Sequence, residues 1–358
     1  NLETHRQKGI GKFGMGLPNA SISQCKFLEV YSWQNNVCYM TNLDVTAIEN
    51  GEVKEVPEPI RVDIPNYFKE ITSVTSSDGG TIVVWKNLDK TTWVQHKAFF
   101  ANSEFLVGRM YRYFINSGQA KIRFKAFERV GETQFTKLKT LDVRPNDPLM
   151  LMKNTSAPAP YDSEPAFQEH SQPYTMKLKL NNGIESELKI RFSVAKAEAR
   201  QTVNNIEAGN MDHGRYCAKN TGVSIIRAGR ELELNTTWVR PGDLTERWWG
   251  VEISFEPELD DLFGVTNNKQ AATKLYRANI QEDAKNQGVS QSEFLGQLYE
   301  DEDPRVQLYE ISKVIESRLR SLREVIKKQN AGARAGRISN EEAERRATIA
   351  TQKRIAEG

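Results

Sequence analysis

Apolar and polar residues alternate in short runs through most of the chain and switch to a helical period near its end. FLEVYSW (27–33) and VCYMTNL (37–43) read as two strands, and TIVVW (81–85) as a short buried strand after the turn residues Ser76 to Gly80. Residues 17–25 predict a helix. So do residues 98–116, where Phe99, Leu106, Met110, Tyr113 and Phe114 suit one face and Gly118 suits a C-terminal cap. KIRFKAF (121–127) and residues 135–143 read as a hairpin. A second series of strands follows at 174–180, 187–195, 222–232 and 248–255. A helix is predicted from near Asn268 past Tyr276, and Ser290-x-x-Glu293 is a capping box for another. From Val306 to Lys328, Leu308, Ile311, Ile315, Leu319, Leu322 and Ile326 step by 3, 4, 4, 3 and 4. That is a narrow apolar stripe on a helix of about 23 residues, or ~35 Å. GARAG (332–336) is expected to break it, and Ser339-x-x-Glu342 to restart a charged helix.

Residues 144–172 separate the two strand series. They are rich in Pro, Asn, Asp and Ser and show little periodicity, so a domain boundary is placed there. The expectation is an α+β chain with domains at 1–150 and 151–285 and a helical, partly basic segment at 286–358. A length of 358 residues suits two domains and an appendage. No apolar run approaches the ~20 residues that span a bilayer. The first residues, NLETHRQK, are polar, so a secretory leader is not expected. Cys25, Cys38 and Cys217 make neither a disulfide framework nor a zinc pattern, which reads as reduced thiols in a cytoplasmic protein. His5, His96, His170 and His213 are dispersed without metal-ligand spacing, so no metal site is expected. Trp248-Trp249 reads as a strand packed on both faces rather than a base-stacking platform.

A net charge of +2 does not mark the whole chain as a nucleic-acid binder. The late helix has a local basic patch: Arg318, Arg320, Arg323, Lys327, Lys328, Arg334 and Arg337. It reads either as a solvated face, or as a helix that meets a partner through its stripe while the arginines meet phosphates.

Candidate chemistry concentrates in KGIGKFGMGLPNASIS (8–23), with four glycines between residues 9 and 16 just ahead of a predicted helix. A helix begins with unpaired N–H groups and a partial positive charge. Glycines ahead of it let the backbone approach an anion with no Cβ in the way, which suits phosphate. The spacing Gly11-x-x-Gly14-x-Gly16 is neither the dinucleotide pattern nor a P-loop. On residues alone the loop is either an anion cradle or a flexible connector.

GIGKFGMGLPNAS resembles the second glycine motif of the GHKL ATPases, which include ninety-kilodalton heat-shock chaperones, MutL proteins, type II topoisomerases and MORC proteins. The resemblance implies a partial α/β sandwich of that family followed by a transducer-like domain. It makes Gly11, Gly14 and Gly16 a phosphate cradle, with Lys12, Phe13 and Met15 supplying N–H groups. Gly80-Thr81 is similar to the family's Gly-Thr strand, whose Thr helps to read the adenine edge. Taken alone, Thr81 is a β-branched residue opening a strand. GVTNNKQAATKL (264–275) resembles a transducer loop that sends a lysine to the γ-phosphate. Lys269 would be that lysine and Gln270 its neighbour; the plain alternative is a solvated lysine at a helix start. The order of GVSIIRAGREL, RWWGVEISF and NNKQ is similar to that of MORC-like transducers. ATP, Mg2+ and a homodimer formed with ATP bound are what the resemblance implies, in a DNA-processing or defence complex. A non-catalytic scaffold and a chaperone are the alternatives.

The family's Glu/Asn helix and its Asp-x-Gly-x-Gly motif precede the glycine loop, and this sequence shows neither in that order. The chain therefore reads as the back part of a nucleotide domain. It is expected not to hydrolyse ATP by itself at a family-like rate, with the magnesium ligand lying elsewhere.

Overall fold

The computed structural model describes residues 16–75, 77, 79–131, 134–180, 183, 185–266 and 270–335, the last six and Lys179 by backbone alone. The glycine-loop residues Gly11 to Met15, Lys269 and the helix expected at 339–342 lie outside the described residues. The chain divides into two units, residues 1–107 with 117–143 and residues 108–116 with 144–358.

The first unit is built on helix α1 (Gly16–Ile22) and strands β1 (Cys25–Gln34) and β2 (Val37–Asp44). Next come α2 (Val45–Glu49), β3 (Ile60–Val62), α3 (Asn66–Thr72) and β4 (Gly80–Leu88). Asn35 and Asn36 make the β1–β2 turn at φ of 51° and 64°, which Asn tolerates and a two-residue hairpin requires. The antiparallel sheet runs β3-β2-β1-β4. Because side chains alternate across a strand, Tyr31, Trp33 and Cys38 share one face with Ile82 and Val84. They form a core with Ile64 and with Phe68 of α3. The opposite face carries Val30, Thr81, Val83 and Trp85, paired across β1 and β4. β4 is therefore not the buried strand its sequence predicts. It pairs only with β1 among the described residues, and Val83 and Trp85 are 41% and 42% exposed. Helix α4 (His96–Met110) and the β5 (Arg123–Val130)–β6 (Gln134–Asp142) hairpin complete the unit, where the Phe99 and Phe100 rings meet Phe124.

The second unit takes in the last residues of α4, from Gly108, and then α5 (Arg112–Asn116), so the single helix predicted over 98–116 is two, separated at Tyr111. Its sheet uses β7 (Phe167–Glu169), β8 (Tyr174–Lys179), β9 (Glu185–Ala195), then, after helix α6 (Asp212–Lys219), β10 (Val223–Arg227), β11 (Arg230–Asn235) and β12 (Trp249–Phe255). The order is β11-β10-β12-β9-β7, with β8 also on β9 and only β10–β12 parallel. The strand predicted over 222–232 is thus a hairpin. Ala228 and Gly229 turn it at φ of 47° and 77°. Trp248 and Trp249 are buried, in line with packing rather than stacking on bases.

The irregular stretch 144–172 lies inside this unit, with residues 145–150 buried. Its backbone donors are satisfied locally: the Asp147 carboxylate accepts from the amides of Leu149, Leu151 and Met152 at 2.9–3.0 Å.

Helices α7 (Asp260–Phe263), α8 (Ile280–Asn286), α9 (Gln291–Glu300) and α10 (Arg305–Ala335) follow. Among the described residues, no helix runs through 270–279. Lys274 and Thr273 instead donate their amides back to Phe263 and Gly264, and α8 starts where the Asn279 side chain caps it. Ser290 caps α9 through the Glu293 amide, as the capping box predicts. α10 is 31 residues long, so GARAG does not end it before Ala335. Its stripe is covered within this unit: Ile311, Ile315, Leu319, Leu322 and Ile326 are all at most 1% exposed. The stripe is part of the core and is not free to meet a partner.

Candidate functional site

The segment that follows the glycine loop is held firmly. Gly16 opens α1, and a Cβ there would meet nothing within 4 Å among the described residues. Five residues on, the fully buried Ser21 hydroxyl accepts from the Trp85 indole N–H at 2.9 Å. The Ser21 carbonyl also accepts from the Cys25 thiol at 3.3 Å. Burial pushes that thiol up from its ordinary value, so it stays a donor. Helix, β1 and β4 are thereby tied at one point, on the face that also carries Thr81.

Thr81 is exposed on β4, its hydroxyl 3.4 Å from that of Ser32 on β1. The pair offers two neighbouring hydroxyls, each able to donate and accept, on the open face of the sheet. Gly80 beside it faces the other way. A Cβ there would come within 2.5 Å of the Trp33 ring, so the glycine makes room for core packing. Behind the sheet, burial and the neighbouring Glu29 carboxylate push Tyr31 up to about 12, and it remains a donor to Glu29 at 3.2 Å.

In the second unit the loop containing Gln270 is closed at its base by a Val265–Ala272 bridge. The Thr266 amide donates to the Ala271 carbonyl at 3.1 Å, while its hydroxyl accepts from the Gln270 and Ala271 amides at 3.3 Å each. Ala272 donates to the Glu233 carboxylate at 3.2 Å. The stems flanking position 269 are thus held by backbone bonds. Of the residues singled out in the sequence, Gly16 and Thr81 fall in the first unit and Gln270 in the second. Gly11, Lys12, Phe13, Gly14, Met15 and Lys269 lie outside the described residues.

One constellation has no sequence signal. Arg112, fully buried, donates to Glu231 (3.0 Å), Glu252 (2.6 Å) and Ser224 (2.7 Å), with Asp147 at 3.8 Å. Burial alone would depress the guanidinium, but Glu252, Glu231 and Asp147 hold it well above its ordinary value. Tyr113 donates to Glu252 and is likewise pushed up, by burial first and then by that carboxylate. A second such pair removes Arg323 from the predicted basic face of α10. It donates to both oxygens of the buried Glu246 at 2.7 Å and to the Trp238 carbonyl at 3.0 Å. Among the described residues no group of three or more His, Cys, Asp or Glu is placed to hold a metal. No helix among them is long and apolar enough to cross a membrane.

Residues 1–81 match the family model for histidine kinase-, DNA gyrase B-, and HSP90-like ATPases. This segment is similar to GHKL-type ATPases. The match takes in both the glycine loop and Gly80-Thr81, while the architecture beyond it is α+β. No curated protein matches the chain. Among solved structures, the B-subunit of the DNA gyrase from Myxococcus xanthus aligns at 5% identity and a TM-score of 0.27. That alignment covers 65% of this chain and 57% of the subunit. The 43K ATPase domain of Thermus thermophilus gyrase B, solved with an aminocoumarin, aligns at 9% identity and a TM-score of 0.28, covering 85% of this chain and 72% of that one. Overlaps this low carry no weight for the assignment, which rests on residues 1–81 and the motifs inside them.

Proposed function

We propose that the chain is the ATP-binding switch of a GHKL-type ATPase. The observation that carries this reading is the family match over residues 1–81, which spans the glycine loop and Thr81 together. The residues present suit the ligand. Glycines precede a helix, and an exposed hydroxyl stands on the same sheet face to which that helix is tied. In this reading the backbone of Gly11, Lys12, Phe13, Gly14, Met15 and Gly16 holds the phosphates and Thr81 serves the adenine edge. Lys269, with Gln270 beside it, senses the terminal phosphate as a point charge. Bound ATP supplies a terminal phosphate that distinguishes two states, and differential contacts to it decide which state is populated. Mg2+ accompanies the nucleotide, with no residue of this chain assigned to it. Pairing of two copies when ATP is bound, and service in a DNA-processing or defence complex, belong to the same proposal. The exposed Arg318, Arg320 and Lys328 would then be the phosphate-facing set.

Calorimetric titration with a non-hydrolysable ATP analogue and Mg2+ tests it. The expected outcome is saturable binding that Gly14→Val abolishes with the melting temperature unchanged. Thr81→Val should weaken binding about five-fold, the worth of one hydrogen bond of ~1 kcal/mol. Lys269→Ala should weaken the triphosphate analogue and leave ADP untouched. Absence of binding at millimolar analogue would rule the switch out and leave the scaffold reading.

A further inference from the structure

The sheet of the second unit has a polar face, opposite the one that carries Leu188, Ile190, Val251 and Ile253. A cavity of about 450 Å³ opens on it, lined by Tyr113, Glu187, Lys189, Arg191, Glu252 and Glu256 among others. That volume lies in the range of small-molecule sites, roughly 300–1,000 Å³. Its floor is already neutralised. The Glu252 carboxylate, 2% exposed, accepts from the Tyr113 hydroxyl at 2.6 and 2.7 Å and from Arg112 at 2.6 Å. Arg191 leans over that floor, with Nη1 3.4 Å from the Tyr113 hydroxyl and Nη2 2.8 Å from Glu169.

The walls are different. Lys189, Glu187 and Glu256 are exposed, and none of them forms an ion pair among the described residues. Register fixes where they stand. Lys189 pairs with Ser254 and Arg191 with Glu252 across β9 and β12. Glu187 and Glu256 fall in the next row, just beyond the Leu188–Phe255 pair. Same-face residues on a strand are about 6.8 Å apart. The cavity thus offers unpaired carboxylates at one end and cationic groups at the other, with Ile226 as apolar lining. An anion alone would meet Glu187 and Glu256; a cation alone would meet Lys189 and Arg191. A ligand carrying both charges, separated by the length of about two residues, satisfies both ends.

We propose that this cavity binds a small peptide zwitterion of dipeptide size, its carboxylate on Lys189 and Arg191 and its ammonium on Glu187 and Glu256. The proposal is independent of nucleotide binding and concerns a different unit. The full chain is titrated with glycylglycine by calorimetry or NMR, alongside glycine, N-acetylglycylglycine and glycylglycinamide. Saturable binding of glycylglycine is expected, at least ten-fold tighter than any of the other three. Lys189→Met and the double change Glu187→Gln with Glu256→Gln should each weaken it ten-fold or more. These positions are exposed and unpaired, so the melting temperature should hold, and a thermal scan verifies that. No saturable binding overturns the proposal. So does equal binding of the two blocked peptides, or affinity indifferent to the substitutions.

Discussion

At Gly80 the sequence motif and the core meet in a single atom. The Gly-Thr dipeptide invites a reading centred on the Thr, yet the glycine has its own task on the opposite face, where the Trp33 ring occupies the space of a Cβ. Trp33 and Gly80 are register partners, so a backbone shift to admit a methyl group would disturb the β1–β4 ladder. Gly80→Ala should cost about 1–3 kcal/mol, as overpacking does, measured by urea denaturation. An unchanged midpoint would mean that the ring moves aside freely. Thiol chemistry is also a residue-scale matter. Burial pushes the Cys217 thiol up to about 12 from an ordinary 9.0. The folded state therefore favours the neutral thiol. Its contribution to stability is complete below about pH 9 and is lost as pH rises toward 12, where the unfolded thiol has already ionised. Cys25 and Cys38 are buried as well, and burial raises both thiols. At pH 8 the native protein should resist iodoacetamide at all three cysteines until denaturant is added, as mass spectrometry would show. Rapid labelling of any one in the native state contradicts this.

Elements follow their termini more than their interiors. α9 begins where its capping box says, because a Ser hydroxyl accepting the Glu293 amide at 3.2 Å is a local bond between near neighbours. Ser290→Ala should cost about 1 kcal/mol in chemical denaturation, within the 0.5–2 range for lost caps. α10 teaches the opposite lesson. Gly332 does not end it, since a helical glycine costs only about 1 kcal/mol and the helix has already propagated through many turns. Its apolar stripe is legible as a stripe, but the partner it meets is this chain's own sheet and the turn at 244–248, with Gln329 donating to the Ala195 carbonyl at 3.2 Å. Arg323, one of the residues that made the helix look basic, is a structural ion-pair partner of Glu246. The helix predicted near Asn268 fails for a related reason: its backbone donors are taken by the preceding segment before an i−4 ladder can form.

On the scale of the whole molecule, each unit needs its own long-range ties. In the second unit the densest tie is Arg112, which gathers carboxylates from β11 and β12 and lies near that of Asp147. Such a cluster contributes little over an apolar replacement of all its members, but removing one side leaves charges stranded. Arg112→Met should therefore destabilise the second unit by about 3–5 kcal/mol, and adding Glu231→Leu and Glu252→Leu should recover much of that. Both are read from denaturation curves. A single substitution without effect would show that water reaches these carboxylates in the folded protein.

The sequence by itself determined the local events: the β1–β2 hairpin, the β5–β6 hairpin, the α9 cap and the period of α10. It also carried the family match over residues 1–81. Each local event is written in residues a few positions apart, through alternation, capping chemistry or backbone freedom. Only the tertiary structure decided that β4 would be half exposed, that residues 145–150 of the irregular stretch would be buried, and that the α10 stripe would be spent on its own sheet. It alone joined Arg112 to Glu231 and Glu252, 119 and 140 positions away, where the free energy of burying a charge depends on partners that no local pattern records.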